Sequence, residues 1–296
     1  MFIKKEIKAI LFLFLATAFW GGTFPVIKNA VVFVTPTVFV TLRFALATLI
    51  LLPFAIKEFK HNSFATVKAG MVLGTLNGGL YLMQTLGVET IDAAQAAFIV
   101  GAAVVFVPFI ASWFKVARLR WIDIVAAISC LVGLFIFTGF ALQIHSGSLW
   151  CLLSTLCVAL NVVYLQIATR KNTHSILLLT FYQILFTLPI PAVLSLGSDY
   201  HNVFTLHALI GILFCAIFAT SFALLLQTKY QHFINPNKAT LIYTLEPVFA
   251  TLIAWGIRQE QITILMIIGG MIMLVSTLLR TFAVHRRSWW KLQSNE

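Results

Sequence analysis

Ten long apolar runs constrain the fold of this 296-residue chain more than any other feature. A helix that crosses the hydrocarbon core of a bilayer needs about 20 apolar residues. Clusters of charged, Gly, Pro and Asn residues bound such runs near 7–27, 34–56, 68–88, 93–114, 121–141, 147–168, 175–196, 206–228, 238–257 and 262–284. Only 10% of the residues are charged, whereas soluble domains have about 25%. We therefore predict an all-α integral membrane protein with ten transmembrane helices.

The first run has an alternative interpretation as a secretory signal sequence. Lys4 and Lys5 precede it, and a short ATA sequence at 16–18 resembles a cleavage site. The apolar character continues past that site through Trp20 and Phe24. We therefore expect an uncleaved helix, which also keeps the number of helices at ten.

The 20 basic residues are distributed unevenly between the two sides of the predicted bundle. Seventeen fall at the termini and in the connections on the same side, whereas Lys28 and Arg258 fall on the other side and Arg43 within a span. Cytoplasmic connections are rich in Lys and Arg. We predict a multi-pass protein of the cell (inner) membrane with both termini in the cytoplasm.

The sequence does not indicate binding of nucleic acids or of metal ions. The net charge of +11 is spread over short connections, whereas nucleic-acid binders gather basic residues on one face. The tail HRRSWWK at 285–291 predicts a contact with anionic membrane lipids. The four cysteines lie inside apolar runs without metal-ligand spacing, which favours packing over disulfide formation. We expect no nucleic acid partner, no metal and no cofactor.

An internal repeat relates the two halves of the chain. A shift of 143 residues aligns YLMQT (81–85) with LLLQT (224–228), and AAFIVGAAVVFVPFIA (96–111) with ATLIYTLEPVFATLIA (239–254). Each repeat holds five predicted helices, an odd number, so the copies must cross the membrane in opposite senses. We predict two inverted repeats, residues 1–141 and 142–296, an architecture typical of secondary transporters.

Several motifs carry a resemblance to a known family. FWGGTFPVIK (19–28), the Arg43-Phe44 pair, the fourth-run sequence above and KATLIYTLEPVFATLIAW (238–255) resemble the EamA-like, ten-helix branch of the drug/metabolite transporter superfamily. The resemblance implies transport of a small molecule, most commonly export of amino acids or related solutes. Import of a nucleotide-like or cationic metabolite is the alternative within the superfamily. The sequence departs from the family at Val104, where a proline is frequent, and has Pro108 four residues later.

Glu246 and Arg43 are the two charges well inside predicted spans. Their positions along the helices place the two Cα atoms at heights that differ by roughly 5 Å. Ionisable groups in a membrane are candidates for function and usually have a partner. Three roles stay open: a structural ion pair, binding of a charged solute, and proton coupling by Glu246. The repeat aligns Glu246 with Ala103, so the charge breaks the symmetry.

Three prolines within runs are expected to interrupt helices, because proline lacks an N–H and collides with the carbonyl four residues earlier. They are Pro25, Pro108 and Pro247, and simple kinking for packing is the alternative role of each. Polar and aromatic residues at helical spacing predict the wall of a cavity, with interhelical hydrogen bonds as the alternative. Together with Glu246 and Arg43, they are Trp20, Asn77, Tyr81, Gln84, Asn161, Tyr164, Gln227 and Tyr243.

We interpret the chain as a transporter rather than an enzyme. An intramembrane enzyme needs a cluster of metal ligands or a catalytic motif, and we find no such motif in the sequence. A non-transporting scaffold is the other alternative, and it would need neither inverted repeats nor internal prolines. A Walker phosphate loop is also missing, so the expected energy source is an ion gradient, with protons as the candidate ion, or the gradient of the solute itself.

Overall fold

The computed structural model describes residues 2–139, 146–170, 174–258 and 262–293, which form helices without a β-strand. In these ranges the α-helices are α1 Phe2–Ala30, α2 Pro36–Glu58, α3 Phe64–Thr90, α4 Ala93–Gly101, α5 Ala103–Trp113, α6 Trp121–Phe137, α7 Ser146–Thr169, α8 Ile176–Leu185, α9 Pro189–Leu194, α10 Leu206–Phe214, α11 Ala223–Tyr230, α12 Pro236–Tyr243, α13 Glu246–Arg258 and α14 Ile264–Gln293. A π-helix, Cys215–Phe222, joins α10 to α11. The prediction of an all-helical chain is confirmed for the described residues.

The ten predicted runs coincide with these helices, and four of the runs are built from more than one helical piece. Six helical segments are long and apolar enough to cross a membrane, judged by length and composition: Lys5–Ala30, Pro36–His61, Gln95–Trp113, Ser146–Thr169, Ile176–Leu194 and Leu206–Phe233. Trp121–Phe137 and Ile264–Leu279 are shorter apolar helices. The remaining two runs, α3 and α12 with α13, carry several of the polar residues predicted to form a cavity wall.

The outer surface of the bundle is apolar. Leu49, Val132 and Leu279 are exposed over 62%, 49% and 64% of their area, as are many other large apolar side chains. Soluble monomers rarely expose apolar patches on this scale. Trp113 and Trp121, which flank the connection between α5 and α6, are strongly exposed, as expected at a membrane–water interface. The side chains of the predicted lipid-binding tail, residues 285–291, lie outside the described residues.

The helices pack in pairs that correspond between the two halves. Helix α3 of the first half packs against α7 and α8 of the second half. Its counterpart in the second half, the π-helix with α11, packs against α1 of the first half, and the π-helix also packs against α2. Likewise, α4 and α5 pack on α7, and α13 packs on α1. The sixth helix, α6, packs along α14.

A stripe of glycines on α3 permits close packing against α8. A Cβ atom added at Gly74 would lie 2.6 Å from Cβ of Phe186 and 2.8 Å from the carbonyl oxygen of Gln183. Gly70 faces Tyr182 in the same way, and Gly78 lies near Thr187. Small residues four apart allow membrane helices to approach closely. The α3–α8 contact therefore joins the first half of the chain to the second.

Two helices are interrupted at equivalent points of the repeat. The first interruption is at Ala102, between α4 and α5, and the second at Thr244 and Leu245, between α12 and α13. The second ends two residues before Pro247, as expected from the loss of a hydrogen bond to the carbonyl of Tyr243. At the first, Ala102 itself still donates its N–H to the carbonyl oxygens of Phe98 and Ile99.

Two of the three predicted proline interruptions are wrong. Pro25 lies inside α1, which continues from Phe2 to Ala30, and Pro108 lies inside α5, six residues beyond the interruption at Ala102. A proline removes a single backbone hydrogen bond, and a bend in the helix accommodates its ring.

Candidate functional site

A cavity of about 60 Å³ lies among helices from both halves of the chain. One water molecule needs roughly 10–15 Å³ by this measure, so the cavity has room for several waters or a small solute. Eight of the ten predicted residues line it: Trp20, Asn77, Tyr81, Gln84, Asn161, Gln227, Tyr243 and Glu246. The cavity therefore brings together most of the polar and aromatic residues found at helical spacing.

Glu246 is the first residue of α13 and is half-buried on the cavity wall. The interruption before it turns its carboxylate into the N-terminal group of a helix, where the helix dipole favours negative charge. Gly21 of α1 makes this placement possible. A Cβ atom added at Gly21 would lie 2.6 Å from the carbonyl oxygen of Glu246 and 2.7 Å from Cβ of Phe249, so any larger residue would push α1 away.

Arg43 does not line the cavity and does not pair with Glu246. Its side chain is 1% exposed, and its Nε donates a hydrogen bond of 2.7 Å to Oγ1 of Thr220 in the π-helix. Its guanidinium carbon lies 4.4 Å from the ring centroid of Tyr81. One terminal nitrogen has no hydrogen-bond partner among the described residues. The structure thus does not form the ion pair that was one of the three hypotheses.

The position of Tyr81 explains why Arg43 does not pair with Glu246. Its ring contributes to the cavity wall while stacking on the Arg43 guanidinium, a cation–π contact. Arg43 and Glu246 were predicted at similar heights in the membrane, but height does not specify the direction in which a side chain points. The aromatic ring occupies the space on the cavity side of Arg43.

Tyr164 is the other predicted residue outside the cavity. It packs beside Leu165 and Leu179 in a small apolar cluster with Ala69 and Leu73. Asn161 lies on nearly the same face of α7 but almost one turn earlier, and that turn decides which part of α3 each residue meets. Tyr164 therefore does not line this cavity.

Hydrogen bonds hold the polar wall residues in place. Nδ2 of Asn161 donates to Oδ1 of Asn77 over 2.9 Å, which links α7 to α3. Nε1 of Trp20 donates to the carbonyl oxygen of Ala219 over 2.9 Å, and the Trp20 ring meets Tyr243 edge to face at 5.3 Å. The side chains are therefore preorganised by contacts with other helices.

Gln231 is an organising residue that sequence reasoning missed. It is fully buried, and its Oε1 accepts hydrogen bonds of 3.1 Å from Nε2 of Gln227 and from the hydroxyl of Tyr243. Its Nε2 donates to the carbonyl oxygen of Val162 over 2.7 Å. The available signal was its spacing of four from Gln227, which places both on one helix face. Three threonines of the wall, Thr23, Thr240 and Thr244, were also missed.

Two contacts of lysine ammonium groups join α1 to neighbouring helices near the helix ends. The ammonium of Lys28 donates to the carbonyl oxygens of Val88, Glu89 and Ile91 at 2.9, 3.2 and 3.0 Å, where α3 ends. Cations are favourable at helix C-termini. Nζ of Lys238 lies 2.6 Å from Oε1 of Glu6, and the Lys238 side chain is 4% exposed. Each contact ties α1 to a helix that lines the cavity.

Comparison with known proteins agrees with this architecture. The model of the EamA-like transporter family matches residues 7–139 and again residues 145–282. The chain belongs to the EamA-like transporter family. An EamA chain of this kind is a membrane transporter with apolar helices, consistent with the drug/metabolite transporter superfamily, and its partner is a small-molecule substrate.

Relatives of this EamA chain cover nearly all of its length. An uncharacterized transporter of Archaeoglobus fulgidus is 28% identical over 285 residues, which are 95% of this chain and 88% of the relative. The uncharacterized transporter YoaV of Bacillus subtilis is 23% identical over 295 residues, which are 95% of this chain and 99% of the relative. A solved crystal structure shares the fold with a TM-score of 0.76, at 14% identity, over 95% of this chain and 99% of that one.

Proposed function

We propose that this chain is a secondary transporter that moves a small amphipathic metabolite, an amino acid or a related solute, by alternating access. The observation that carries the proposal is the position of Glu246. It places a carboxylate at a helix interruption, on the wall of a cavity formed by both halves of the chain. Charges inside a membrane are costly and typically mark paths of substrates or protons. Interrupted helices at the interface of two repeats are characteristic binding elements of secondary transporters.

The internal repeat supports the mechanism. The two helix interruptions fall at equivalent positions, the packing partners correspond between the halves, and the family model matches each half once. These observations support ten spans arranged as two inverted repeats, residues 1–141 and 142–296. In such a transporter one set of helices rocks against the other around a fixed central site.

The two charged contacts near the helix ends support a movement of this kind. Lys28 binds the end of α3, and Lys238 binds Glu6 at the start of α1. Under the proposed topology, with both termini in the cytoplasm of the cell (inner) membrane, Lys28 lies on the outer side and Lys238 on the inner side. Opening either side requires the contact on that side to break. The cavity would then be reached from one side at a time.

The finer properties of transport follow from the family resemblance and from Glu246. Export of amino acids or related solutes is the role that the resemblance implies. A single carboxylate in the cavity serves either as the counter-charge of a bound cation or as a proton acceptor, and exchange of one for the other would couple transport to a proton gradient. We propose export in exchange for protons as the direction and coupling.

Counterflow in proteoliposomes tests the proposal. Purified protein is reconstituted into vesicles preloaded with a mixture of unlabelled amino acids and amines, and uptake of each labelled compound is followed at equal external pH. At least one compound should accumulate transiently, and an outward proton gradient in vesicles with the cytoplasmic face outside should raise its uptake, because the proposed exchange releases protons as the solute enters.

The matched variants are Glu246→Gln and Asp199→Asn. Asp199 is exposed in the connection between α9 and α10, so its substitution removes a carboxylate without touching the cavity. We expect transport to be lost in the first variant, with the folded protein retained, and unchanged in the second. Full counterflow in Glu246→Gln would remove Glu246 from the mechanism, and no counterflow by the folded wild type would contradict the transport proposal.

A further inference from the structure

The hydrogen-bonding capacity of the cavity wall is divided unequally between donors and acceptors. Three wall threonines use their hydroxyl protons within their own helices: Thr23 donates to the carbonyl oxygen of Trp20 over 2.6 Å, and Thr240 and Thr244 donate to those of Pro236 and Thr240 over 2.8 Å. A carbonyl oxygen only accepts, so the direction of these bonds is fixed. Each threonine is left with oxygen lone pairs and no donor for a solute.

The Gln231 network has the same effect on two further wall residues. Because the carbonyl oxygen of Val162 only accepts, Gln231 must direct its Nε2 toward it and its Oε1 toward Tyr243 and Gln227. An amide oxygen does not donate. The hydroxyl proton of Tyr243 is therefore committed to Gln231, and so is one amide proton of Gln227. Gln231 is fully buried, which keeps this orientation in place.

The wall of the cavity is also one-sided in charge. Glu246 is the only ionisable acid or base with a formal charge among the described residues that line it. The buried cation Arg43 does not line the cavity; it is held by Thr220 and lies against the ring of Tyr81. Trp20 and Tyr243 add aromatic surface to the wall, and the face of an aromatic ring attracts cations.

We infer that the cavity recognises a small cation through its N–H groups, an ammonium or a guanidinium, with Glu246 as the counter-charge. This inference rests on the proposed transport function and narrows its substrate to solutes that carry such a group. The acceptor oxygens of Thr244, Tyr243 and Gln227 take the hydrogen bonds that the cation donates. Tyr81 and Gln84 retain donors, and Nδ2 of Asn77 has no partner among the described residues. These three groups serve a neutral acceptor elsewhere in the solute.

The inference separates two kinds of cation. A quaternary ammonium has the charge and the size but no N–H, so it would leave the acceptors of the cavity desolvated and unpaired. Sites built around hydrogen bonds discriminate strongly against analogues that lack the donor. A carboxylate without a cationic group would face Glu246 with no basic residue on the wall to compensate.

Three small ions of similar size test the inference on the full-length protein in nanodiscs: methylguanidinium, tetramethylammonium and propionate, each at the same ionic strength. Binding is measured by the shift in thermal stability and by titration calorimetry, because a ligand that binds the folded state raises its stability. We expect methylguanidinium to bind at least roughly tenfold more tightly than tetramethylammonium, as the loss of charge-assisted hydrogen bonds implies, and propionate to show no shift.

Two variants and one flux measurement separate the inference from the transport proposal. Glu246→Gln should abolish the methylguanidinium shift, and Asp199→Asn should retain it. Equal binding of tetramethylammonium, binding of propionate, or no binding of methylguanidinium would overturn the inference, whatever compound is transported in counterflow. Conversely, selective binding of methylguanidinium that depends on Glu246, without any counterflow of it in proteoliposomes, would support the site and contradict transport.

Discussion

The guanidinium carbon of Arg43 lies 4.4 Å from the ring centroid of Tyr81, and Tyr81 in turn forms part of the cavity wall. The ring thus stands between a buried positive charge and the space available to a solute. Arg43 influences the field in the cavity without offering an N–H to a ligand. This arrangement explains how a chain with two intramembrane charges presents only the negative one to the cavity.

Removal of the Tyr81 ring should change the charge preference of the cavity. In Tyr81→Ala the Arg43 guanidinium gains access to the cavity and opposes a cationic ligand, so we expect binding of methylguanidinium to weaken by at least about tenfold, which corresponds to roughly 1.4 kcal/mol. Tyr81→Phe keeps the ring and should retain binding within about threefold. Calorimetric titration of the two variants makes the comparison. Equal losses in both would show that the hydroxyl, and not the screening ring, is the important group.

Substitutions of Arg43 and Glu246 should be nearly additive in stability. A buried ion pair that loses one partner costs about 3–5 kcal/mol, and removal of the second partner then restores part of that loss. Because Arg43 contacts Thr220 and Tyr81 instead of Glu246, we expect a coupling free energy below about 1 kcal/mol between Arg43→Ala and Glu246→Ala. Reversible unfolding of the two single variants and the double variant in mixed micelles measures it. A larger coupling would restore the ion-pair hypothesis.

Gln231 should tune solute binding although it does not reach the cavity. In Gln231→Leu the Tyr243 hydroxyl and the Gln227 amide lose their shared acceptor, at a cost to stability of about 1–3 kcal/mol. The freed protons then point into the acceptor wall, so affinity for the cation should fall while maximal transport at saturating solute is retained. In Gln231→Glu the protonated acid donates its O–H to the Val162 carbonyl and keeps the acceptor oxygen, so this variant should recover most of the affinity. A loss of maximal rate in both variants, at unchanged affinity, would indicate a purely structural role.

The lysine contacts near the helix ends should control access from opposite sides. In a variant with the four cysteines replaced, Thr23→Cys reports on the cavity through its reaction with a membrane-impermeant thiol reagent. Lys28→Met removes three hydrogen bonds to carbonyl oxygens, and we expect labelling from its side to increase by roughly tenfold. Lys238→Met should increase labelling from the other side instead. An increase from the same side in both variants would contradict alternating control.

His174 should make the stability of the protein sensitive to pH in the mildly acidic range. Burial lowers the pKa of its imidazole below the ordinary value, and its Nδ1 lies 2.9 Å from Oγ1 of Thr66. The unfolded chain therefore binds the proton more readily. This histidine contributes stability above its ordinary pKa of about 6.5, and the contribution is lost as the pH falls from there through the lowered value.

The measurement is the melting temperature between about pH 7.5 and pH 5, with two histidine variants. His174→Gln should show a smaller decrease on acidification than the wild type. His61→Gln, at an exposed position, is the control and should follow the wild-type curve. A steeper decrease in His174→Gln would reverse the sign and contradict the argument.

Much of the fold was predictable because length and apolar character determine membrane helices directly. The ten runs coincide with helices, and the glycines of α3 lie at a close helix contact with Phe186 and Gln183. The interruption before Pro247 followed from the chemistry of proline. The helix interruption at Ala102 could not be predicted in this way, because no proline lies at that point. Only its position in the repeat relates it to Thr244.

The cavity was predictable to the extent that helical spacing selects a face. Asn77, Tyr81 and Gln84 share a face of α3 and do line the cavity. The spacing argument failed for Arg43 and Tyr164, since it does not specify which neighbour a face meets. Gln231 was missed for a related reason: it acts through two wall residues, and its role depends on distances between three separate helices.

The two runs with the lowest apolar character, α3 and α12 with α13, have a consequence for how the protein is made. Helices that carry such polar residues enter a bilayer less readily on their own. The main partners of α3 are α7 and α8, which are synthesised after it, and α13 packs on α1, which is synthesised well before it. Stable insertion of α3 must therefore wait for the second half of the chain. Correct assembly of the protein therefore depends on the order in which its helices are synthesised as well as on their final contacts. The polar groups that line the cavity are the cause of this dependence.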